Sequence, residues 1–144
     1  MAVGIDILEI DRTKNLVNLN KIFTDNEIEY INKFADKNER ICGFFCAKEA
    51  VFKCLNLNKL NHKEIEIYHN ENGKPFVKFY GETLSHFKQH FNKIDISISH
   101  TKTMATAIAV ATEKPDFKPT ILWYFKSVFL CFFFTSSNTK CVAF

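Results

Sequence analysis

Residues 94–111 read IDISISHTKTMATAIAVA. Ile94 to Ser99 alternates apolar and polar side chains. Met104 to Ala111 alternates alanine with Thr106, Ile108 and Val110. A period of two marks a half-buried strand rather than a helix. The two runs are joined by the polar turn His100-Thr101-Lys102-Thr103, so the stretch predicts a pair of strands. Upstream, Glu64 to His69 alternates in the same way. Asn72-Gly73 is a type I′ turn signal, and Lys74 to Tyr80 returns as the second strand of a hairpin. Ala2 to Ile10 (AVGIDILEI) adds a further strand, with Asp6 in its middle. Between the strands the period shifts. Asp11 to Phe23 reads as a weak helix. Thr24-Asp25-Asn26-Glu27 is a capping box leading into a helix over Glu27–Phe34. Lys37 to Leu55 is a longer helix with Ile41, Phe45, Phe52 and Leu55 at helical spacing, and Thr83 to Phe91 is a last one. The sum is an α+β fold with helices packed on a mostly antiparallel sheet.

A chain of 144 residues has room for one core. With 47% hydrophobic and 24% charged residues, it is not a disordered polymer. A net charge of +3 is too small to announce a nucleic-acid partner, though it suits an acidic one. The five cysteines are odd in number and form no CxxC pair, which argues against a disulfide framework or structural zinc and for free thiols in a reducing compartment. The opening Met1–Asp6 reaches an acid at once and does not resemble a signal peptide, so a cytoplasmic protein is expected.

Composition breaks near Lys114-Pro115. Residues 1–114 read as the working domain, whereas residues 115–144 hold 7 of the 16 phenylalanines and only four charges. Ile121 to Phe134 is almost continuously apolar, yet shorter than the ~20 residues of a membrane span. Three readings of this tail stay open: packing on the domain or a neighbouring subunit, lying on a membrane surface, or an extension without selected function.

Several side chains sit where patterning does not want them. Asp6 interrupts an apolar strand, where a carboxylate is costly unless it is paired or binds a cation; a surface-facing position is the plain alternative. Glu49 shares a helical face with Cys42, Phe45, Cys46, Phe52 and Lys53, either as an ordinary solvated pair with Lys53 or as a charged site at the edge of the core. Ser97, Ser99 and His100 end a strand and enter a turn, a place where binding groups collect. His86-x3-His90 lacks a third ligand and has Lys88 between, and Cys42-x3-Cys46 lies on an apolar face, so both are discounted as metal sites. The chain has no GxxxxGK[ST], GxGxxG or GxSxG motif. Two acids (Asp6, Glu49) with Lys53 and His100 suit a divalent cation and a phosphate. Mg²⁺ takes one or two protein carboxylates and completes its octahedron with phosphate oxygens and water.

Four segments in order, Gly4-Ile5-Asp6-Ile7-Leu8-Glu9-Ile10-Asp11-Arg12, Phe45-Cys46-Ala47-Lys48-Glu49-Ala50-Val51-Phe52-Lys53, Asn72-Gly73-Lys74-Pro75 and Ile96-Ser97-Ile98-Ser99-His100-Thr101, resemble the holo-acyl-carrier-protein synthase family of 4′-phosphopantetheinyl transferases. The likeness spans about residues 2–113. It implies the single-unit, homotrimeric type of that fold, with coenzyme A bound between subunits. It also implies transfer of the phosphopantetheine arm of coenzyme A to a serine of apo-acyl carrier protein, Mg²⁺-dependent, with release of adenosine 3′,5′-bisphosphate, as fatty acid biosynthesis requires. By the same resemblance Asp6 and Glu49 are the Mg²⁺ ligands, and Glu49, Lys53 and His100 serve catalysis. Lys53 also binds phosphate. Gly73, Lys74, Pro75, Ser99, His100 and Thr101 line the coenzyme A site, and Arg12 meets the carrier protein. Glu49 accepts the serine proton directly or through a metal-bound water. Two departures stand out. Phe44 follows Gly43 where many relatives carry an arginine used on a coenzyme A phosphate, a role open to Arg40 or a lysine. Asn56-Leu57-Asn58 replaces the family's glycine-containing stretch, and asparagine can supply the left-handed residue that ends a helix. The alternatives are another Mg²⁺-dependent phosphoryl-transfer or nucleotide-hydrolysing enzyme and, more distantly, a small basic binding module.

Overall fold

The computed structural model describes residues 1–14, 16 and 18–115; the tail from residue 116 onward, with all three readings of it, lies outside the described residues. Strand β1 (Ala2–Glu9) runs into a short helix α1 (Ile10–Thr13), followed by α2 (Leu19–Ile22), α3 (Asp25–Asn32) and the long α4 (Lys37–Cys54). A single 3-10 turn (His62–Glu64) leads into the hairpin β2 (Ile65–His69) and β3 (Pro75–Phe79). Helix α5 (Gly81–His90) and the pair β4 (Phe91–His100) and β5 (Met104–Glu113) complete the fold. The strands form one three-stranded sheet in the order β1-β5-β4, antiparallel throughout, and one separate two-stranded hairpin. This is the α+β arrangement that the alternation of residues 94–111 predicts.

The alanines of β5 explain how α4 sits. Ala105, Ala107, Ala109 and Ala111 all face the helix and are buried, while Thr106, Ile108 and Val110 point the other way. Small side chains let the helix backbone approach the sheet closely. The contact is tightest at Gly4 of β1, where a Cβ would stand 2.1 Å from the Ala50 carbonyl oxygen and 2.5 Å from the Cys54 amide nitrogen. Only glycine fits there. On the outer face of the same sheet the β1 side is apolar and uncovered: Ile5 is 62% and Ile7 60% exposed, beside Val3 and Ile108 of β5.

Helix α4 is not the one-sided amphipathic helix that its Ile41, Phe45, Phe52, Leu55 spacing suggests. It is buried on nearly every side, because the sheet covers one flank and α1, α3 and the hairpin cover the others. Its first turn is capped by the Asp36 carboxylate, which accepts from the Asn38 and Glu39 amides. Its end is a Schellman closure. Leu57 N–H bonds the Phe52 carbonyl, Asn56 N–H bonds the Lys53 carbonyl, and Asn56 takes φ 50°. The left-handed asparagine expected there is present.

A fully buried ion pair ties three elements together. Lys48 Nζ lies 2.8 Å from Glu27 Oε2, and donates also to the carbonyls of His62 (2.7 Å) and Ile65 (2.5 Å). Glu27 Oε1 accepts from the Ile67 amide, and its Oε2 closes the capping box on Thr24 N–H. All three ammonium donors and both carboxylate oxygens are used, which is what lets such a pair exist in a core. Burial nonetheless draws the Lys48 ammonium below the ordinary lysine range, against the pull of Glu27.

Three local expectations change. The helix over Asp11–Phe23 is two short helices, with Asn18 at φ 71° before the second; asparagine competes with the backbone and tolerates the left-handed region. The hairpin does not turn on a type I′ pair at Asn72-Gly73, since only Gly73 (φ 76°) has positive φ. Instead Gly73 N–H bonds the Asn70 carbonyl, and Asn70 Oδ1 accepts from the Asn72 and Lys74 amides. The asparagine side chain organises a longer loop that dipeptide statistics do not anticipate. Helix α5 begins two residues earlier than Thr83, because the Glu64 carboxylate accepts the Thr83 amide and serves as a remote cap.

Candidate functional site

Strand β1 and helix α4 cross where Gly4 permits, and two residues past Gly4 on the same face stands Asp6. Its carboxylate therefore points at the C-terminal half of α4, not at solvent. Lys53 Nζ lies 2.8 Å from Asp6 Oδ1 and 3.2 Å from the Ile5 carbonyl. Burial raises Asp6 above the usual carboxylate range. Lys53 opposes the shift, and the nearby Glu49 charge adds to it. The Cys46 thiol also lies against this carboxylate.

Glu49 is 4% exposed. It does not pair with Lys53 one turn along its own helix, as spacing alone allows. Its Oε1 lies 3.2 Å from His62 Nε2, and its Oε2 is buried with no hydrogen-bond partner among the described residues. A buried carboxylate oxygen left without a donor is costly, and a cation relieves the cost. Two carboxylates in one neighbourhood, a lysine beside them and no third protein ligand make a donor set for a hard divalent ion whose remaining ligands come from outside the protein. No group of three or more His, Cys, Asp or Glu able to hold a metal occurs among the described residues.

The other expected site residues lie elsewhere. His100, at the end of β4, places Nδ1 3.6 Å from Glu39 Oε2, in the first turns of α4. Glu39 and Glu49 are ten residues apart on one helix, about 15 Å along its axis. One chain therefore does not bring His100 to the carboxylates. Ser99 is exposed on β4 opposite Thr106. Thr101 orders the β4–β5 turn, its Oγ1 accepting from the Thr103 and Met104 amides. Gly73, Lys74 and Pro75 close the hairpin, and Lys74 Nζ reaches Asp95 on β4 at 3.4 Å. Arg12 is exposed on α1 and has no ion-pair partner among the described residues.

Two residues escaped the sequence reading. Lys48, next to Glu49, is the buried anchor described above. The signal available in the sequence was a Lys-Glu pair flanked on both sides by the apolar runs of residues 42–47 and 50–52. His62 had none, since a lone histidine in a polar connection carries no pattern.

A model of the 4′-phosphopantetheinyl transferase superfamily matches residues 2–111. The chain belongs to this superfamily. A holo-[acyl-carrier-protein] synthase of Thermoanaerobacter sp. (strain X514) is 41% identical over 126 residues, covering 81% of this chain and 91% of that protein. The synthase of Clostridium tetani (strain Massachusetts / E88) is 38% identical over 118 residues, covering 76% and 94%. Among solved structures, Helicobacter pylori holo-[acyl-carrier-protein] synthase in complex with coenzyme A superposes with a TM-score of 0.67 at 28% identity, covering 76% of this chain and 99% of that one. In this phosphopantetheinyl transferase, Phe44 is not a phosphate contact in disguise. It is buried, with its ring against those of Tyr30 (5.6 Å) and His69 (5.4 Å), which also stack on each other at 4.9 Å. Arg40, the suggested substitute, holds its guanidinium 4.3 Å from the centre of the Phe34 ring. The three described cysteines, Cys42, Cys46 and Cys54, are free and buried, and burial pushes the Cys54 thiol up to about 12. Among the described residues no helix is long and apolar enough to cross a membrane.

Proposed function

We propose that this chain transfers the 4′-phosphopantetheine arm of coenzyme A to a serine of apo-acyl carrier protein, releasing adenosine 3′,5′-bisphosphate, with Mg²⁺ held by Asp6 and Glu49. The observation that carries the site is the buried, partnerless Oε2 of Glu49 in the same charged neighbourhood as Asp6. When bound, Mg²⁺ supplies neutralisation of charge on the pyrophosphate. Lys53 balances further phosphate charge from the exposed side of the site, where it is now engaged by Asp6. Glu49, directly or through an intervening water, is the proton acceptor for the attacking serine hydroxyl. Arg12, exposed and without a counter-ion among the described residues, is suited to an acidic carrier protein.

Coenzyme A is long, and one chain offers its elements apart: carboxylates and Lys53 at one end of α4, His100 with Ser99 and Thr101 at the other, the Gly73–Pro75 loop beyond β4. A homotrimer, with the cleft completed by a neighbouring copy, reconciles this separation. The uncovered apolar face of β1 and β5 gives such an assembly a surface to bury. The cytoplasm, where these soluble substrates meet, is the compartment this reading implies.

The deciding experiment is the mass of apo-acyl carrier protein after incubation with this protein, coenzyme A and Mg²⁺. A phosphopantetheine increment is expected. Hydrolysis of coenzyme A or of a nucleotide without an increment would favour the alternative phosphoryl-transfer enzyme.

A further inference from the structure

We propose that His62 is a positioning residue for Glu49: its Nε2–H holds Oε1 so that Oε2 is the oxygen left for the divalent cation. The inference rests on the reading of Glu49 as a metal ligand. A carboxylate can only accept, so the imidazole nitrogen at 3.2 Å is the donor. With Oε1 engaged, rotation of the carboxylate is restrained, and the atom without a partner is Oε2.

The histidine is itself held. Lys48 Nζ grips the His62 carbonyl at 2.7 Å. Phe45 stacks on the imidazole, with ring centroids 5.6 Å apart and planes 28° apart. Asn61 caps the 3-10 turn that carries it, Oδ1 accepting the Lys63 amide. Phe45, Lys48 and Glu49 lie on adjacent turns of α4, so one helix fixes the backbone, the face and the edge of the ring. Outer partners of metal-bound carboxylates set orientation and affinity, and their loss typically weakens metal binding 10- to 100-fold.

Two substitutions separate the hydrogen bond from the packing. His62→Phe keeps the stack on Phe45 and removes the N–H. His62→Gln keeps an N–H at the same reach and loses the stack. The probe is Mn²⁺, read by loss of the free-ion signal in electron paramagnetic resonance, with full-length protein and coenzyme A present and circular dichroism confirming the fold. His62→Phe should weaken Mn²⁺ binding about tenfold or more, with His62→Gln close to wild type. Wild-type affinity in His62→Phe would overturn the role, as would equal weakening in both variants. If Phe does not fold, His62→Leu takes its place with the same expectation. Asp6→Ala marks the site. If wild-type protein shows no Mn²⁺ binding that this variant removes, the metal reading itself fails and the role of His62 with it.

Discussion

Lys53 and Asp6 meet across the β1–α4 contact, Nζ to Oδ1 at 2.8 Å, although Lys53 also stands one helical turn from Glu49. The lysine therefore compensates the carboxylate on the strand and leaves the one on the helix to His62. Asp6 still remains raised above its usual range, because burial outweighs the lysine. Its charge is a burden on the fold in the absence of a cation.

Replacing Asp6 by Asn should accordingly separate function from stability. If Asp6 holds the proposed Mg²⁺, transfer should fall by about 100-fold or more. The melting temperature without metal should hold or rise. Turnover assays beside thermal melts check both, and near-normal turnover at saturating Mg²⁺ would remove Asp6 from the site.

Lys48→Met should be severely destabilising, by about 3–5 kcal/mol, because it strands the buried Glu27 carboxylate and two carbonyl oxygens. Urea unfolding measures it. A loss below about 1 kcal/mol would mean the pair carries little of the fold.

His69 sets a pH dependence with a definite sign. It stacks on Tyr30 and Phe44, its Nδ1 has no partner among the described residues, and burial lowers it from 6.5, with Arg40 adding to the shift. Between the lowered value and 6.5 the unfolded chain binds more protons than the folded one, so stability rises with pH there and is lost on acidification. His69→Phe keeps the stack and removes the titration. Unfolding free energies at about pH 7.5 and about pH 5.5 should drop less in the variant than in wild type. Equal drops would exclude His69 as a source.

Ile7→Lys places a charge on the uncovered sheet face, where the side chain is 60% exposed. Folding of a single chain should be unaffected, while light scattering should show the assembly reduced to monomers and transfer lost with it. A wild-type protein that is already monomeric and active would rule out the shared cleft.

What could be read in advance follows from range. Strand alternation over residues 94–111, the Thr24 capping box and the left-handed Asn56 are local, and all three stand in the structure. Asp6 could be flagged because a charge in an apolar strand violates a pattern. Which partner each charge chooses is not local. Lys53 crosses 47 positions in sequence to reach Asp6, and Glu49 finds His62 in a connection without periodicity. The Asn72-Gly73 signal misled because a side chain two residues earlier, Asn70, took over the turn.

The missing side chain at Gly4 acts as a ruler for the chemistry. The two carboxylates come from different elements, and the gap between them is set by how closely backbone can lie on backbone beside Ala50. On the proposed metal role, a preference for one ion radius over another would be written partly in residues that touch no ion. A methyl group added at Gly4 would leave both carboxylates in the sequence and still move Asp6 away from Glu49.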